Sequence, residues 1–438
     1  MEIFLTLFTG YVLTLLVVSW YVGRGESEEG FLIADRKRNW WQVGMSKYAA
    51  SIGAGWFIAY SGFAYEYGSP MFLVFIGAIA GVLVYAIWAV PKIRTVSSNA
   101  YTQGDFVLAK TNSSVARDFL NGTSILMTVL TTLIAIVGGA TVLDSFNIVQ
   151  YEVAVIVMVG VVLLYMLLSG FKAVMVTDVV QGILLLVLLT MVVVGLAIAS
   201  PLDSVTLLES RNISPLGMTM LSVFGILAVF SDPTRFQLTF AGKSDHSVSK
   251  GMLTSIFPFL LTALLIYTLS AAVYSFDSTL TAAEVFPTAL SSYVPSALVP
   301  LGFLVFFVAL MSTSDSSFFA LAAHTTSFIT KNNPTKKLIR QLLIFYSILL
   351  AIGALLFTDV LDLAVLTAAL LIVIAIPIIY LIAGGSSGIR FTALLAGGWI
   401  GVFVGLFITG LEPDAGAFVL LGFVVAALLP KRFLMRLA

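Results

Sequence analysis

Long apolar segments alternate with short polar ones along almost the whole chain of 438 residues. Each apolar segment is roughly 18 to 28 residues long, which is enough for a helix rising 1.5 Å per residue to cross a hydrocarbon core about 30 Å thick. The pattern therefore predicts an all-α polytopic membrane protein with about thirteen transmembrane helices. Their expected ranges are 3–22, 42–67, 70–90, 119–143, 150–169, 173–200, 216–241, 251–275, 297–328, 337–357, 361–383, 388–409 and 413–429.

Composition supports a lipid environment and excludes several other classes of protein. Hydrophobic residues make up 60% of the chain and charged residues only 10%, whereas a soluble domain carries about 25% charged residues. The chain contains no cysteine, so disulfides and thiolate metal sites are excluded. Its net charge is zero and no basic run stands outside the loops, which argues against nucleic-acid binding. The apolar N-terminus lacks the basic region and cleavage site of a signal peptide, so we expect it to be the first helix.

Lysine and arginine residues occur in every second loop between the predicted helices and in the C-terminal tail. Of the 22 basic residues, the exceptions are Lys47 and Arg235 inside helices and Arg211 in an opposite loop. Basic loops stay on the cytoplasmic side of a membrane. The sequence therefore predicts a multi-pass protein of the cell membrane with its N-terminus outside and its C-terminus in the cytoplasm. The alternation also supports the helix count, because an error of one helix would destroy it.

Two predicted helices contain residues that interrupt a helix near the middle of the membrane. The second helix has the small-residue run Ser51–Gly55, and the seventh has Ser231–Pro233, in which proline removes a backbone donor. These are the first and sixth of ten consecutive helices, which is the pattern of two inverted five-helix repeats around a midplane binding site. In the alternative, the glycines merely allow helices to pack closely.

We therefore expect a core of helices 2 to 11 built as two inverted repeats, with one additional helix before it and two after it. In this division, residues 1–40 hold the first helix and the first cytoplasmic loop. Residues 41–200 form the first repeat and residues 201–385 the second. Residues 386–438 hold the last two helices and a short cytoplasmic tail.

Few ionisable residues fall inside the predicted spans, and each is a candidate for function because a charge inside a membrane is costly. They are Lys47, Glu66, Asp178, Asp232, Arg235, Asp315 and His324. Ala309, Ser312, Thr313 and Ser316 share one face of the ninth helix. That face offers hydroxyl oxygens, which hard cations such as sodium bind. In the alternative, these hydroxyls hold neighbouring helices together.

Four segments of the chain resemble the solute:sodium symporter family, whose members share the LeuT-type inverted-repeat fold. They are EEGFLIADRKRNWW at Glu28–Trp41, SIGAGWFIAYSGFAYEYG at Ser51–Gly68, SGFKAVMVTDVVQG at Ser169–Gly182 and ALMSTSDSS at Ala309–Ser317. Together with the matching helix number, the resemblance covers nearly the whole chain. It implies a LeuT-like fold and Na+ as the coupling ion.

The resemblance also implies residues for two ion sites. The principal sodium site would use three backbone carbonyls and two hydroxyls, which are those of Ala49, Ile52, Ala309, Ser312 and Thr313. A second site for an ion or a proton would use Asp178, Asp315 and Ser316, with Ser312 shared between the two sites. Asp315 departs from members that have serine at this position. Two carboxylates would therefore approach one ion or share a proton.

Residues for a substrate site follow from the same resemblance. Gly53 and Trp56 match family positions that line the substrate cavity, and Asp232 and Arg235 follow the break in the seventh helix, where the family also contacts substrate. An aspartate and an arginine beside a tryptophan suit a zwitterionic or carboxylate-bearing solute. In the alternative, Asp232 and Arg235 form an ion pair with each other at i, i+3 spacing.

Lys47 has no counterpart in the family pattern, and three roles are open for it. It extends to the cytoplasmic surface, it pairs with Asp178, or it stands in for a cation during part of the transport cycle. For Glu66, near the outer surface, and His324, near the inner end of its helix, we expect structural roles.

These observations predict a sodium-coupled secondary active symporter that imports a small polar organic solute by alternating access. An amino acid or another carboxylate-bearing compound is favoured. Lys47 and Asp315 prompt the alternative of proton coupling. A transporter-like sensor or channel is a third option, although no signalling domain precedes the last residue, Ala438. No nucleotide-binding loop, metal-ligand cluster or nucleophile and base arrangement is present, so an enzyme is not expected. The identity of the solute, the number of coupled ions and the oligomeric state stay open.

Overall fold

The computed structural model describes residues 2–24, 27–53, 55–96, 100–168, 170–199, 209–211, 213–330, 335–412 and 414–430. In this part of the chain α-helices predominate, and β-structure is limited to two isolated bridges. The long helices are Glu2–Gly23, Ser114–Ser145, Tyr151–Leu168, Phe171–Ala199, Pro215–Ser231, Ile256–Phe276, Val299–Thr330, Lys336–Leu356, Val360–Ile382 and Gly388–Thr409. Shorter helices are Glu28–Ile33, Trp40–Ser51, Ser61–Tyr67, Phe72–Val84, Val90–Arg94, Gln103–Thr111, Pro233–Ala241, Asp245–Thr254, Val285–Thr288 and Ala415–Leu428.

The number of membrane crossings can be judged from the length and hydropathy of these helices. Ten described segments are long and apolar enough to cross; they include Ser69–Arg94 but not Pro215–Ser231. The count is eleven if the bent pair Pro215–Ser231 and Pro233–Ala241 is one span. The chain is thus an all-helical, multi-pass membrane protein, as the sequence predicts. The span expected at 42–67 is interrupted after Ser51, and the one expected at 413–429 is the 14-residue helix Ala415–Leu428. By length alone, neither of these two predicted spans is counted as a crossing.

Helix boundaries differ from the prediction where a polar residue starts a helix. The helix expected to begin at residue 119 begins at Ser114, because the Ser113 hydroxyl accepts the Ala116 N–H at 3.2 Å and caps the helix. The short helix Gln103–Thr111 and the helical turns at 282–293 were not predicted. A search for long apolar segments does not detect such short elements.

The helix Val299–Thr330, here called the serine-rich helix, lies at the centre of the bundle. Every residue from Gly302 to His324 is buried, and the helix packs against Ser114–Ser145 and Phe171–Ala199. A helix that is buried on all sides keeps its polar groups away from lipid. The hydroxyl and carboxyl groups of the serine-rich helix are therefore enclosed by protein.

Loops that carry basic residues contact one another, and the region where they meet is here called the basic end. Arg94 pairs with Asp245 at 2.7 Å, and Arg38 forms a parallel bridge with Gly242. Near the opposite end, the turns at 282–293 lie so close to the chain that a Cβ on Gly62 would meet the Ala282 carbonyl carbon at 2.9 Å. Contacts between sequence-distant segments thus occur near both ends of the bundle.

Helices Phe72–Val84 and Pro215–Ser231 cross at close range because glycines line their contact. A Cβ on Gly81 would lie 2.6 Å from the Ile226 carbonyl oxygen, and a Cβ on Gly225 would lie 2.9 Å from a backbone nitrogen of the facing helix. Small residues of this kind let transmembrane helices approach closely. The crossing fixes the position of Pro215–Ser231, the helix that ends at the break predicted for the seventh span.

We predict that Gly225→Val destabilises the protein by about 1–3 kcal/mol, the usual cost of adding atoms to a packed core, because the backbone facing Gly225 has no room to yield. Gly160→Val is the matched control, since a Cβ at Gly160 meets nothing within 4 Å. Thermal unfolding of the purified variants in detergent measures both effects. Equal unfolding midpoints for the two variants would contradict the close crossing.

Candidate functional site

The first broken helix is formed by Trp40–Ser51 and the helical turns that resume at Trp56. It loses helical geometry at Ile52, whose dihedral angles are extended (φ −105°, ψ 93°). The Trp56 N–H donates to the Gly53 oxygen at 2.9 Å, where the helix resumes. Gly53 lies against the serine-rich helix, and a Cβ there would meet the Thr313 Cβ at 2.7 Å. Only glycine fits this contact, so the break is held directly beside Thr313.

Thr313 is the predicted sodium ligand that contacts this break. Its hydroxyl donates to the Ala50 carbonyl at 3.4 Å. The Ala49 carbonyl accepts the Ile52 N–H at 3.2 Å, and Ala309 is buried one turn before Thr313 on the serine-rich helix. Backbone oxygens of the break therefore face a hydroxyl of the serine-rich helix.

Ser312, the other predicted hydroxyl ligand, points to a buried carboxylate. It donates to Asp178 Oδ1 at 2.7 Å, and Ser46 donates to Asp178 Oδ2 at 2.5 Å. Asp178 and Asp315 are both fully buried, and Asp315 Oδ1 accepts the Ser316 N–H at 2.6 Å. Two of the residues expected at a second site are thus buried carboxylates, and Ser46 and Ser312 link Asp178 to the first broken helix and to the serine-rich helix.

Uncharged polar residues complete this carboxylate cluster, and sequence reasoning missed them. Gln181 Nε2 donates to the Tyr11 hydroxyl at 2.6 Å. Within the described residues, Gln181 Oε1 and Asp315 Oδ2 are buried without a hydrogen bond donor. Buried acceptors without donors are costly, and a cation or a proton would satisfy them. Gln181 could have been identified from the sequence, because it follows Asp178 by three residues and therefore lies on the same helix face.

The second broken helix consists of Pro215–Ser231 and Pro233–Ala241, which meet at an angle of 46°. Asp232 caps its second half, because Asp232 Oδ1 accepts a backbone N–H of that half at 2.9 Å. The Ser231 carbonyl accepts Gln103 Nε2 at 2.7 Å. Gln103, on a helix that was not predicted, is a further residue that sequence reasoning missed. Side chains therefore satisfy backbone groups that the break exposes.

Arg235 joins the two halves of the second broken helix. Its Nη1 donates to the carbonyls of Ala228 and Val229 at 3.2 and 2.5 Å. Its Nη2 lies 3.5 Å from Asp232 Oδ2. The ion pair between Asp232 and Arg235, the alternative considered from the sequence, is therefore present. Three polar contacts already hold the Arg235 guanidinium in place.

A cavity of about 370 Å³ lies between the two broken helices. The four residues predicted for the substrate site all line it, namely Gly53, Trp56, Asp232 and Arg235. Trp56 packs edge-on against Phe259 with ring centroids 4.9 Å apart, which gives the cavity an aromatic wall. A volume of this size is typical of small-molecule sites.

The cavity joins the candidate ion site to one end of the bundle. Gly53 and Thr313 both line it, so the break and the cavity share a wall. From there the cavity extends to Tyr67, at the end of Ser61–Tyr67, and to Glu412, after the end of Gly388–Thr409. A solute and an ion would therefore bind side by side.

Lys47 lines this cavity with its side chain only 4% exposed. Its ammonium lies 4.9 Å from the centroid of the Phe259 ring. The suggestion that Lys47 extends to the cytoplasmic surface is therefore wrong, because the side chain turns toward the cavity. Pairing with Asp178 is not observed either, because none of the four ion pairs among the described residues joins Lys47 to Asp178.

The other two intramembrane candidates lie elsewhere. Glu66 is exposed near the end of its helix. His324 is buried, with its Nδ1 3.1 Å from Asn121 Oδ1. Neither belongs to the described lining of the cavity. Structural roles for both remain the prediction.

Two interrupted helices around a cavity, in a helical multi-pass protein, form the arrangement of a secondary transporter. A family model agrees with this class, because the model described as "Sodium:solute symporter family" matches residues 31–352. The chain belongs to the sodium:solute symporter family. This is a family of transporters rather than enzymes.

Solved structures confirm a LeuT-like fold. The chain matches a substrate-bound, outward-open Na+-coupled sialic acid symporter with a TM-score of 0.81, at 15% identity over 97% of this chain and 96% of that one. It matches MhsT in complex with L-phenylalanine with a TM-score of 0.61, at 12% identity over 89% and 99%. The nucleobase-cation-symport-1 family transporter Mhp1 gives a TM-score of 0.57, at 14% identity over 93% and 94%.

Curated relatives match over a shorter region. Sodium/glucose cotransporter 1 of Mus musculus is 26% identical over 159 residues, which is 36% of this chain and 24% of that protein. Solute carrier family 5 member 4 of Rattus norvegicus is 24% identical over 159 residues, which is 36% of this chain and 23% of that protein. The matched region thus spans about a quarter of each of these relatives.

We predict that Arg235→Leu destabilises the protein by about 1–3 kcal/mol, because Asp232 and two carbonyls lose their charged donor. The double variant Asp232→Asn, Arg235→Leu should recover part of this loss, since no carboxylate is then left unpaired. Thermal unfolding of the purified variants measures the coupling. Strictly additive losses would show that the two side chains act independently.

Proposed function

We propose that this protein is a sodium-coupled secondary active symporter that imports a small polar organic solute by alternating access. The observation that carries the proposal is the contact of the first break, at Gly53, with Thr313 beside the cavity. The family and the fold support it. Sodium as the coupling ion is also supported by a relative named for sodium/glucose cotransport and by a structural neighbour named for Na+-coupled sialic acid transport. Na+ is then a co-substrate rather than a cofactor.

In the proposed architecture the chain crosses the membrane thirteen times. Helices 2 to 11 form two inverted five-helix repeats within 41–200 and 201–385, and the remaining helices flank this core. The positions of the breaks support the division, because Ile52 and Asp232 interrupt the first helix of each half. The basic end is the cytoplasmic side, since basic residues collect there. The N-terminus then lies outside and the C-terminus in the cytoplasm.

The proposed sodium site lies between the first broken helix and the serine-rich helix. Its ligands are five neutral oxygens, the carbonyls of Ala49, Ile52 and Ala309 and the hydroxyls of Ser312 and Thr313. The Ser312 hydroxyl donates a hydrogen bond to Asp178. The lone pairs of the Ser312 oxygen therefore stay free to coordinate an ion. A site of neutral oxygens suits a monovalent ion that must be released in each cycle.

A second site for a sodium ion or a proton is proposed at Asp178, Asp315 and Ser316. The buried acceptors without donors, Gln181 Oε1 and Asp315 Oδ2, support it. A proton-coupled transporter of the same fold is the second candidate function, because a proton between two enclosed carboxylates would remove their repulsion. Solute uptake into sodium-free proteoliposomes driven by a pH gradient would favour protons over sodium.

Sodium can drive uptake only through different affinities for two states of the transporter. In the proposed cycle, sodium holds the first broken helix against the serine-rich helix while the cavity is open toward Tyr67 and Glu412. The solute contacts Gly53, Trp56 and the Asp232 and Arg235 pair, a set that favours an amino acid or another carboxylate-bearing compound. The proposed sodium site and the solute cavity share a wall. Binding of sodium therefore raises the affinity of the protein for the solute, and binding of the solute raises its affinity for sodium.

We predict that Thr313→Val raises the sodium concentration for half-maximal binding about tenfold, the effect of losing roughly 1.4 kcal/mol with one oxygen ligand. Valine keeps the shape of threonine, so packing at Gly53 is maintained. The double variant Ser312→Ala, Thr313→Ala should bind sodium more weakly still. Stabilisation of purified protein by NaCl, compared with choline chloride, measures binding.

Thr326→Val is the control for this experiment. It makes the same change on the same helix, but the Thr326 hydroxyl donates to its own helix at Ala322, 2.7 Å away. Its sodium dependence should equal that of the wild type. An unchanged sodium dependence in the double variant at Ser312 and Thr313 would refute the site.

A further inference from the structure

The side chain of Lys47 occupies an unusual position for a charged group. It is buried between the two broken helices and lines the cavity. The four ion pairs among the described residues all join other side chains. Its ammonium lies over the face of the Phe259 ring, with Nζ 4.9 Å from the ring centroid. Within the described part of the chain, Lys47 therefore brings a positive charge into the cavity without a counter-ion.

A buried ammonium without a counter-ion costs several kcal/mol, and a contact with an aromatic face offsets only about 0.5–2 kcal/mol of that. The nearby Asp232 does not supply the missing charge, because it is paired with Arg235 and caps the second half of its helix. The charges of Asp232 and Arg235 cancel. Glu412, the other charged lining residue, lies beside Tyr67 rather than beside Lys47. Lys47 is then the surplus charge next to the two breaks, and an anionic ligand would balance it.

The rest of the cavity suits an apolar body rather than a polar one. Its described lining contains no asparagine, glutamine or histidine. Lining hydroxyls at Thr128, Thr131 and Thr367 donate to carbonyls of their own helices. Trp56 and Phe259 supply a broad aromatic surface. A sugar needs several donors and acceptors, and the hydroxyls of these three threonines are already used within their own helices.

On the basis of the proposed symport function, we propose that Lys47 binds the carboxylate of an apolar monocarboxylate whose body lies against Trp56 and Phe259. The ammonium offers three donors to the carboxylate oxygens. Lys47 precedes the first break and Trp56 follows it. The solute therefore bridges both halves of the first broken helix, next to the proposed sodium site. Lys47 is a specificity-determining residue in this assignment.

The test uses hexanoate and phenylacetate as probes, with hexanamide as the neutral analogue of hexanoate. Binding to purified full-length protein in NaCl is measured by isothermal titration calorimetry. We expect both carboxylates to bind the wild type, and hexanamide to bind at least about tenfold more weakly. Lys47→Met should weaken carboxylate binding about 30-fold or more, as expected when one partner of an enclosed charge pair is removed. Lys47→Arg should retain most of the binding, because it keeps the charge.

Two controls separate this effect from misfolding. Lys92→Met makes the same substitution at a lysine that also contacts an aromatic face, with its Nζ 4.6 Å from the Trp88 ring, but outside the described cavity lining. It should bind the probes like the wild type. Ligand-free Lys47→Met should unfold at the same temperature as the wild type or higher, since it removes an unpaired charge.

Three results would overturn the assignment. They are unchanged carboxylate binding in Lys47→Met, equal binding of hexanamide and hexanoate, and the failure of both carboxylates to bind the wild type. The proposed symport function fails separately. Carboxylate binding that requires Lys47 but is the same in NaCl and choline chloride would support Lys47 as the anchor and refute sodium coupling.

Discussion

Every backbone N–H and carbonyl group inside a membrane needs a partner within the protein, and the rest of this structure depends on how two interrupted helices meet that requirement. At the first break, the Thr313 hydroxyl reaches the Ala50 carbonyl. At the second, Arg235 and Gln103 reach carbonyls of the last turn before Asp232. These partners must be shielded from lipid, so they come from buried positions of the bundle. The space between the two breaks is the cavity, and Thr313 and Arg235 both line it.

The same requirement explains the distribution of charge. Arg235 and Asp232 cancel each other's charge while they hold the second break, and two serine hydroxyls bind the Asp178 carboxylate. These polar groups serve the fold before any ligand arrives. Lys47 is different, because neither a break nor a carboxylate uses its ammonium in the described residues. A group that the fold does not need, yet keeps in the wall of the cavity, is best explained by the ligand it meets.

The sequence predicted the fold class, because long apolar segments are typical of membrane spans. It predicted both breaks, because mid-span proline or glycine is typical of broken helices. The helix that faces the first break was predicted from the resemblance to the solute:sodium symporter family. The sequence did not predict that Ser312 and Thr313 point to different partners, since neighbouring helical residues differ by about 100° in direction and no spacing shows which faces the break. Gln103 escaped detection because its short helix resembles a polar loop. The direction of Lys47 depends on the rotation of its helix, which only packing determines.

A single half-helix, Trp40–Ser51, connects the groups proposed to bind the ions and the solute. Ser46 donates to Asp178, Lys47 faces the cavity, and Ala50 accepts the Thr313 hydroxyl. These three residues lie within about one helical turn and cannot move independently. A rotation of this half-helix that closed the cavity would therefore break both polar contacts and withdraw the ammonium at once. In the proposed cycle, coupling between ion and solute requires no long pathway through the protein, because one half-helix carries groups proposed to meet both ligands.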